Sequence, residues 1–372
     1  MTKRVFSLLM AMILTLALVA CTPDHPDTST DTGASVSSSD TATDTSTDTN
    51  SNTSSEEDLP PEEIEHKLMA ITDQKNDEIV VVDLSAEDIT SDAAIVWKWN
   101  ARMHGDVEYA SKSNKRLDDV KLRDSEVWGG MVVGITSSSG LVALVSYPSG
   151  KCLWNVNLAG YGPHSIDILP NGLIAVACSG NGNNDKACIK LFSAKSKTDT
   201  NCVTLMLPSA HGVLWDPTEE VLWGLGSTVL NAYHVGGTRE KPTLSLIDGM
   251  SYPIASGGHD LSPVYGNPDR LWITSSKVAQ FSKSQEKVLY DYDGASVINQ
   301  GSVKSINTYA DGITVMTVAD KNNGTASHNT NEVWYWSYQY NERLQRWQYR
   351  MTEIKFENRD FYKVRAFVAD YQ

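Results

Sequence analysis

The sequence predicts an all-β protein, a six-bladed β-propeller of four-stranded antiparallel blades, and three observations carry that prediction. Short runs of alternating apolar residues with turn residues between them fill the chain from about residue 66 onward, with no long amphipathic helix among them. Phrases of strand, tight turn and strand recur at nearly constant spacing. The first group of strands lacks an innermost member, and the C-terminus carries a lone strand that would supply it.

Taken in order, the chain opens on Lys3 and Arg4, followed by the 16-residue apolar run Val5–Ala20. Its shortness, its leading charge and its small residues at the end read as a secretory signal rather than a membrane span. Leu18-Val19-Ala20-Cys21 matches the lipobox pattern, so residues 1–20 are expected to be removed and Cys21 to carry a lipid. That modification adds at least two acyl chains, enough for stable anchoring. Residues 21–65 read as a tether: positions 22–58 hold ten Thr and nine Ser with almost nothing apolar, too little to offset the entropy of ordering. Twelve acids and no Lys or Arg stand between Thr22 and Glu65. They account for most of the net charge of −15, so residues 66–372, the expected propeller, are only mildly acidic. Without a basic excess to neutralise phosphates, nucleic-acid binding is disfavoured.

The repeat begins with Lys121-Leu-Arg-Asp. It recurs as His164-Ser-Ile-Asp-Ile-Leu-Pro-Asn-Gly, His211-Gly-Val-Leu-Trp-Asp-Pro, His259-Asp-Leu-Ser-Pro and Lys304-Ser-Ile-Asn-Thr-Tyr-Ala-Asp-Gly, at intervals of 43, 47, 48 and 45 residues. Asn171-Gly172 and Asp311-Gly312 are hairpin-turn signals. Each phrase precedes further strand-like runs, such as Ile189-Lys-Leu-Phe and Val203-Thr-Leu-Met-Leu after His164. Upstream, Lys67-Leu-Met-Ala-Ile, Ile79-Val-Val-Val and Ile95-Val-Trp-Lys-Trp supply three strands of a first blade. Tyr362-Lys-Val-Arg-Ala-Phe-Val is expected to complete it.

The His-Ser…Leu-Pro-Asn-Gly, His-Gly-Val…Trp-Asp, Gly-Gly-His-Asp-Leu-Ser-Pro and Lys-Ser-Ile segments resemble those of a bacterial propeller family, domain of unknown function 6528, across most of residues 66–372. The resemblance implies a six-bladed fold and no established activity, so function rests on the site.

Aligning the inner strands by apolar pattern brings Lys121, His164, His211, His259, Lys304 and Lys363 to one position, expected to ring a mouth of the central channel. Two residues further on stand Ile166, Val213, Leu261 and Ile306, but Arg123 and Arg365 in the other two strands. His164, His211 and His259 invite a divalent metal as an alternative, since imidazole is a common ligand. Three Lys and two Arg around the same mouth would repel a bare cation, and no carboxylate falls at the aligned position, although Asp167, Asp216 and Asp260 are near in sequence. No cofactor is therefore expected, and the ring suits an anionic glycan or small molecule, held by Lys and Arg with His donating hydrogen bonds.

The second reading is a polysaccharide lyase-like enzyme, in which a neutral His acts as base and Tyr161 as acid. The third is a scaffold for envelope protein partners, dependent on outer surfaces rather than the ring. Asn181, Asn183 and Asp185 have the alternate spacing of a calcium loop but lack its distant Glu, and read as a plain hairpin loop. Cys178 and Cys188 flank that loop on strands expected to pair, which leaves a disulfide open after export, whereas Cys152 and Cys202 stand on outer strands of successive blades. Most of the Trp residues are expected between blades. The protein is thus expected on the extracytoplasmic side of the cell envelope, membrane-bound through Cys21.

Overall fold

The structure, a computed structural model, describes residues 67–103, 116–320 and 328–372. The expected signal peptide, the lipidation site Cys21 and the tether lie outside the described residues. The described residues belong to one compact unit, Glu63–Gln372.

Alternating apolar runs form strands where the sequence pattern places them. The first are β1 (Leu68–Asp73), β2 (Glu78–Asp83) and β3 (Ile95–Trp99). Then come β4 (Leu117–Ser125), β5 (Gly130–Ser137), β6 (Leu141–Ser146) and β7 (Cys152–Asn157), followed by β8 (Pro163–Ile168), β9 (Ile174–Cys178), β10 (Cys188–Phe192) and β11 (Val203–Met206). The next four are β12 (Gly212–Asp216), β13 (Val221–Leu225), β14 (Val229–Gly237) and β15 (Pro242–Pro253), then β16 (Asp260–Pro263), β17 (Arg270–Thr274), β18 (Val278–Ser282) and β19 (Lys287–Leu289). The last are β20 (Val303–Thr308), β21 (Thr314–Val318), β22 (Glu332–Asn341), β23 (Arg346–Lys355) and β24 (Phe361–Ala366). From β4 to β23, each successive four form one antiparallel sheet, blades 2 to 6, and blade 1 has the order β24–β1–β2–β3. The C-terminal strand thus closes the ring, with Val364 opposite Ile71 and Ala366 opposite Met69. The sole α-helix among the described residues is the four-residue turn Ala295–Ile298.

The apolar core lies between blades. Leu144, Trp154 and Val156 of blade 2, for example, meet Ile166, Val176 and Phe192 of blade 3. Each such fully buried side chain contributes roughly 1.5–3 kcal/mol. Trp97, Trp99, Trp154, Trp223 and Trp272 stand between blades as expected, and several of them also tie blades polarly. Trp97 donates to the Pro148 carbonyl at 2.8 Å, Trp154 to Ser196 at 2.6 Å, and Trp272 to the Thr308 hydroxyl at 2.9 Å. The two Gly turns are three-residue hairpins: Leu169 N–H meets the Leu173 carbonyl, and Tyr309 N–H that of Ile313. Only the glycine of each takes positive φ, 80° at Gly172 and 86° at Gly312, as a type I turn followed by a left-handed residue requires.

Inner strands run in one sense, so the channel has a mouth at their starts and another at their ends. The second mouth is sealed by the C-terminal tail. Past β24, the Asp370 carbonyl accepts from Arg123, whose guanidinium stacks 4.5 Å from the Tyr371 ring centroid. The Tyr371 hydroxyl donates to the Ile168 carbonyl at 2.6 Å, and the Gln372 amide oxygen accepts from Lys283 at 2.7 Å. Among the described residues, nothing closes the mouth at the strand starts. Cys178 and Cys188 face each other across β9 and β10, as the pairing of their strands predicted, and both remain thiols, as do Cys152 and Cys202.

Candidate functional site

The open mouth is built by a feature repeated in every blade. Four inner strands carry one residue more than the strand they pair with: Asp118 lies between the pairs Leu117↔Ser137 and Asp119↔Thr136, His164 between Pro163↔Cys178 and Ser165↔Ala177, and Lys304 between Val303↔Val318 and Ser305↔Thr317. In β24 the shift falls between Phe361 and Val364, which places Tyr362 there. In the other two blades, His211 and His259 donate their N–H groups to Leu225 and Thr274, residues already paired with Gly212 and Asp260. A bulge turns the extra side chain out of the pleat. Around the channel, this position holds Asp118, His164, His211, His259, Lys304 and Tyr362.

Four of the six sequence-predicted ring members stand there, and the register is corrected in the other two blades. Lys121 and Lys363 lie deeper, with Arg123 and Arg365, and all four are buried on the channel axis. The physical reason is the apolar residue two places beyond each bulge. It is Ile166, Val213, Leu261 and Ile306 in the aligned blades, but Val120 and Val364 here, which assigns the position to Asp118 and Tyr362. The expectation of a mouth without a carboxylate is corrected with it.

Behind the mouth, the buried cations form a paired network. Arg365 bridges Asp119 at 2.7 Å and Asp260 at 2.7 Å, Lys363 meets Asp260 at 3.0 Å, and Arg123 meets Asp167 at 2.9 Å. Lys121 donates across the channel to the Val213 carbonyl at 2.5 Å. Burial works to raise the Asp119 carboxyl, but Arg365, Lys363 and Lys121 outweigh it and hold the group ionised. Burial lowers Lys121 to about 8, against the opposing pull of Asp167 and Asp119. These side chains fill the channel and join blades across it.

The mouth is a depression of about 200 Å³ lined by Arg116, Asp118, Ser138, His164, Asn181, His259, Lys304, His328 and Tyr362. His164 Nδ1 lies 2.8 Å from Asp118 Oδ1, a close contact rather than a well-aligned hydrogen bond. The His164 and His211 rings stack at 4.4 Å and 19°, and His211 meets His259 edge-on at 5.3 Å. His211 Nδ1 is 2.8 Å from the Ser209 carbonyl, which fixes the proton on Nδ1 and leaves Nε2 as acceptor. Ser209 takes φ of 50° to make that contact, a left-handed conformation that costs on the order of 1 kcal/mol.

Burial, then the neighbouring His164, holds the His211 imidazole well below the ordinary histidine range. Burial, then the Lys304 and Lys363 ammonium groups, lowers His259 to about 3. Burial and Lys363 lower Lys304 to about 8, and its Nζ lies 3.0 Å from His259 Nε2. A neutral His259 accepting at Nε2 carries its proton on Nδ1, and that buried nitrogen has no hydrogen-bond partner among the described residues. An unmet buried donor costs about 1–3 kcal/mol.

Among the described residues, no three His, Cys, Asp or Glu side chains converge in a way that could hold a metal ion. Stacked rings explain this for His164, His211 and His259: two of them present faces to each other rather than nitrogens to a common point. Tyr161, the candidate acid, packs beneath Lys190 and Lys186, with ring distances of 4.3 and 5.1 Å, and does not line the mouth. The 180–187 loop is the plain turn expected: Asn183 accepts from Asp185 N–H at 3.0 Å. Its Asn181, with φ of 50°, lines the mouth and donates to the Ser138 carbonyl at 3.1 Å. Sequence reasoning missed Asn181, Asp118, Tyr362, Arg116 and His328; for the last two no sequence signal marked the position. A larger depression of about 240 Å³ opens on the sealed face. Its polar groups satisfy one another, since Lys67 pairs with Asp311 and the Tyr309 hydroxyl donates to the Leu68 carbonyl at 2.7 Å.

Fold and site define a six-bladed β-propeller with one mouth sealed and the other lined by polar and titratable side chains. The chain belongs to a family of unknown function, DUF6528, whose model matches residues 36–339. No curated protein sequence matches it. Among solved structures, it is similar to a functionally unknown protein from Desulfotomaculum acetoxidans at 11% identity and a TM-score of 0.44, over 82% of each chain. It is also similar to a putative 6-phosphogluconolactonase from Bacteroides uniformis at 12% identity and a TM-score of 0.46, over 81% of this chain and 99% of the other. Neither similarity is close enough to carry a functional argument.

Proposed function

We propose that the protein is a lipid-anchored, extracytoplasmic binding protein of the cell envelope that captures a small anionic molecule, such as a uronate residue of a glycan, at the open mouth. One observation carries this reading: the mouth and the network beneath it set six cations against four carboxylates in a chain of net charge −15. The cations are Arg116, Lys304, Lys121, Arg123, Lys363 and Arg365; the carboxylates are those of Asp118, Asp119, Asp167 and Asp260. Cations gathered in a concave, partly dry site concentrate an anion. The unmet His259 Nδ1–H supplies a neutral donor beside Lys304 for a carboxylate oxygen. The depression admits about one sugar ring, well below the size of pockets for larger ligands.

Calorimetric titration with a panel of uronates, sulfated sugars and sugar phosphates tests this reading, with Lys304→Met beside the wild type. Saturable binding that Lys304→Met weakens at least ten-fold supports it. Binding that ignores Lys304, or none across the panel, counts against it and leaves the outer surfaces, and so a scaffold for envelope partners, as the better account.

The Asp118–His164 contact favours a second reading, a polysaccharide lyase-like enzyme. A carboxylate 2.8 Å from Nδ1 would stabilise the imidazolium formed when His164 acts as a base. Lys304 would then neutralise the substrate carboxylate as charge moves onto it. Tyr362, whose hydroxyl burial holds well above its ordinary range, replaces Tyr161 as the acid. Unsaturated products released from uronate polymers, and abolished by His164→Ala while affinity persists, would establish this reading.

A further inference from the structure

The outer hairpin of blade 6 is longer than its sheet. Strands β22 and β23 pair over ten residues, from Glu332↔Lys355 to Asn341↔Arg346, but β21 pairs only with Trp334, Tyr335 and Trp336. The pairs from Ser337↔Arg350 to Asn341↔Arg346 therefore overhang the blade, by on the order of 15 Å. The direction of the overhang follows from register. Trp336 is level with Thr314, at the end of β21 that adjoins the Asp311-Gly312 turn, so the hairpin projects from the sealed face. Lys67, where the described propeller begins, pairs with Asp311 in that same turn. Lys67 thus stands on the same face as the overhang.

The overhang presents apolar surface that no described residue covers. Tyr338 and Tyr340 are each 50% exposed, Leu344 at the tip 51% and Trp347 58%. Tyr338 stacks on Trp347 at 5.6 Å and 16°, and Tyr340 meets the same indole at 5.8 Å, so the rings form one slab. Exposed Arg343, Arg346 and Arg350 flank it against two acids, Glu342 near the tip and Asp293, which accepts from the Tyr349 hydroxyl at 3.2 Å, a local positive excess in an acidic chain. Aromatic rings with one wet edge, an apolar tip and flanking arginines match the headgroup region of an anionic bilayer. The acidic tether matches the arginines but holds almost nothing apolar to cover Trp347.

We propose that the β22–β23 hairpin is a membrane-contact element, which seats its aromatic tip in an anionic phospholipid surface and turns the sealed face toward it. The orienting role rests on the anchor proposed above, whereas the contact itself is a property of the propeller. The test is co-sedimentation of the unlipidated mature chain, residues 22–372, with phosphatidylcholine vesicles made with or without phosphatidylglycerol. The expected result is binding that is stronger on anionic vesicles. Trp347→Ser combined with Tyr340→Ser should weaken it about ten-fold on both compositions. Arg346→Gln and Arg350→Gln should each weaken it about five-fold on anionic vesicles alone. The arginine changes leave the aromatic slab in place, so they decide the matter even where the serine variant fails to fold.

A wild type that stays in the supernatant, or variants that bind as it does, would overturn the proposal. So would displacement from the vesicles by soluble neutral oligosaccharide or by a peptide of residues 22–65, which would assign the surface to a glycan or to the tether. Mass analysis of Cys21 in cell-made protein tests the anchor separately, so the two readings fail independently.

Discussion

His259 offers a direct measure of whether the open mouth is as dry as its geometry implies. The imidazole titrates near 6.5 when unfolded and at about 3 in the folded protein, through burial, Lys304 and Lys363. The folded state therefore binds fewer protons between those values, so stability rises with pH across that window and falls as the solution is acidified through it. Little is lost at pH 7, which lies above both values. At pH 5 the unfolded chain has gained the proton and the folded chain has not. The distance from 6.5 to 5, at about 1.4 kcal/mol per unit, costs about 2 kcal/mol. His259→Gln keeps a polar side chain and removes the titration. Urea unfolding at pH 7 and pH 5 should show the wild type losing about 2 kcal/mol more than the variant, with unchanged m-values. Equal losses in the two proteins would mean that water reaches His259 and that the mouth is not the desolvated site described here.

Three further outcomes follow from the same structure. Arg365→Met leaves Asp119 and Asp260 ionised and buried without their shared partner, and should cost about 3–5 kcal/mol in chemical denaturation; a loss under about 1 kcal/mol would refute a tightly paired channel. Removing Tyr371 and Gln372 breaks the seal on Arg123, Asp216 and Lys283, and should lower stability by about 1–3 kcal/mol while leaving affinity at the open mouth unchanged. Anion affinity should fall as pH rises through about 8, where Lys304 loses its proton; a flat profile from pH 7 to 10 would exclude Lys304 as the anchoring charge.

Much of this architecture is legible in the chain because a propeller writes itself in repeats. The intervals near 45 residues, the Gly turns and the unpaired strand at Tyr362 report local properties that long-range packing does not override. The mouth was legible in part, and its errors have a definite source. The apolar residue two places after each bulge marks the position, a rule obeyed at His164, His211, His259 and Lys304. Lys121 and Lys363 broke it, with Arg123 and Arg365 in place of an apolar residue, and those exceptions marked the misplaced register. Applied without exception, the rule selects Asp118 before Val120 and Tyr362 before Val364. Asn181 and His328 come from loops brought over the mouth by tertiary packing, and Arg116 precedes its strand, so no strand pattern marks them. The burial of Arg123 and Arg365 could not be read from spacing either. It depends on Asp167, Asp119 and Asp260 arriving from other blades.

In the proposed ligand site Asp118, His164, His259, Lys304 and Tyr362 line the mouth and His211 stacks behind His164. Histidine side-chain nitrogen–proton NMR spectra, recorded as galacturonate is added, test that site most directly. The His164, His211 and His259 signals should move together, with one shared midpoint, while exposed His234 stays still. Signals that move at His234, or at none of the four while binding is detected calorimetrically, would place the ligand elsewhere and contradict the account.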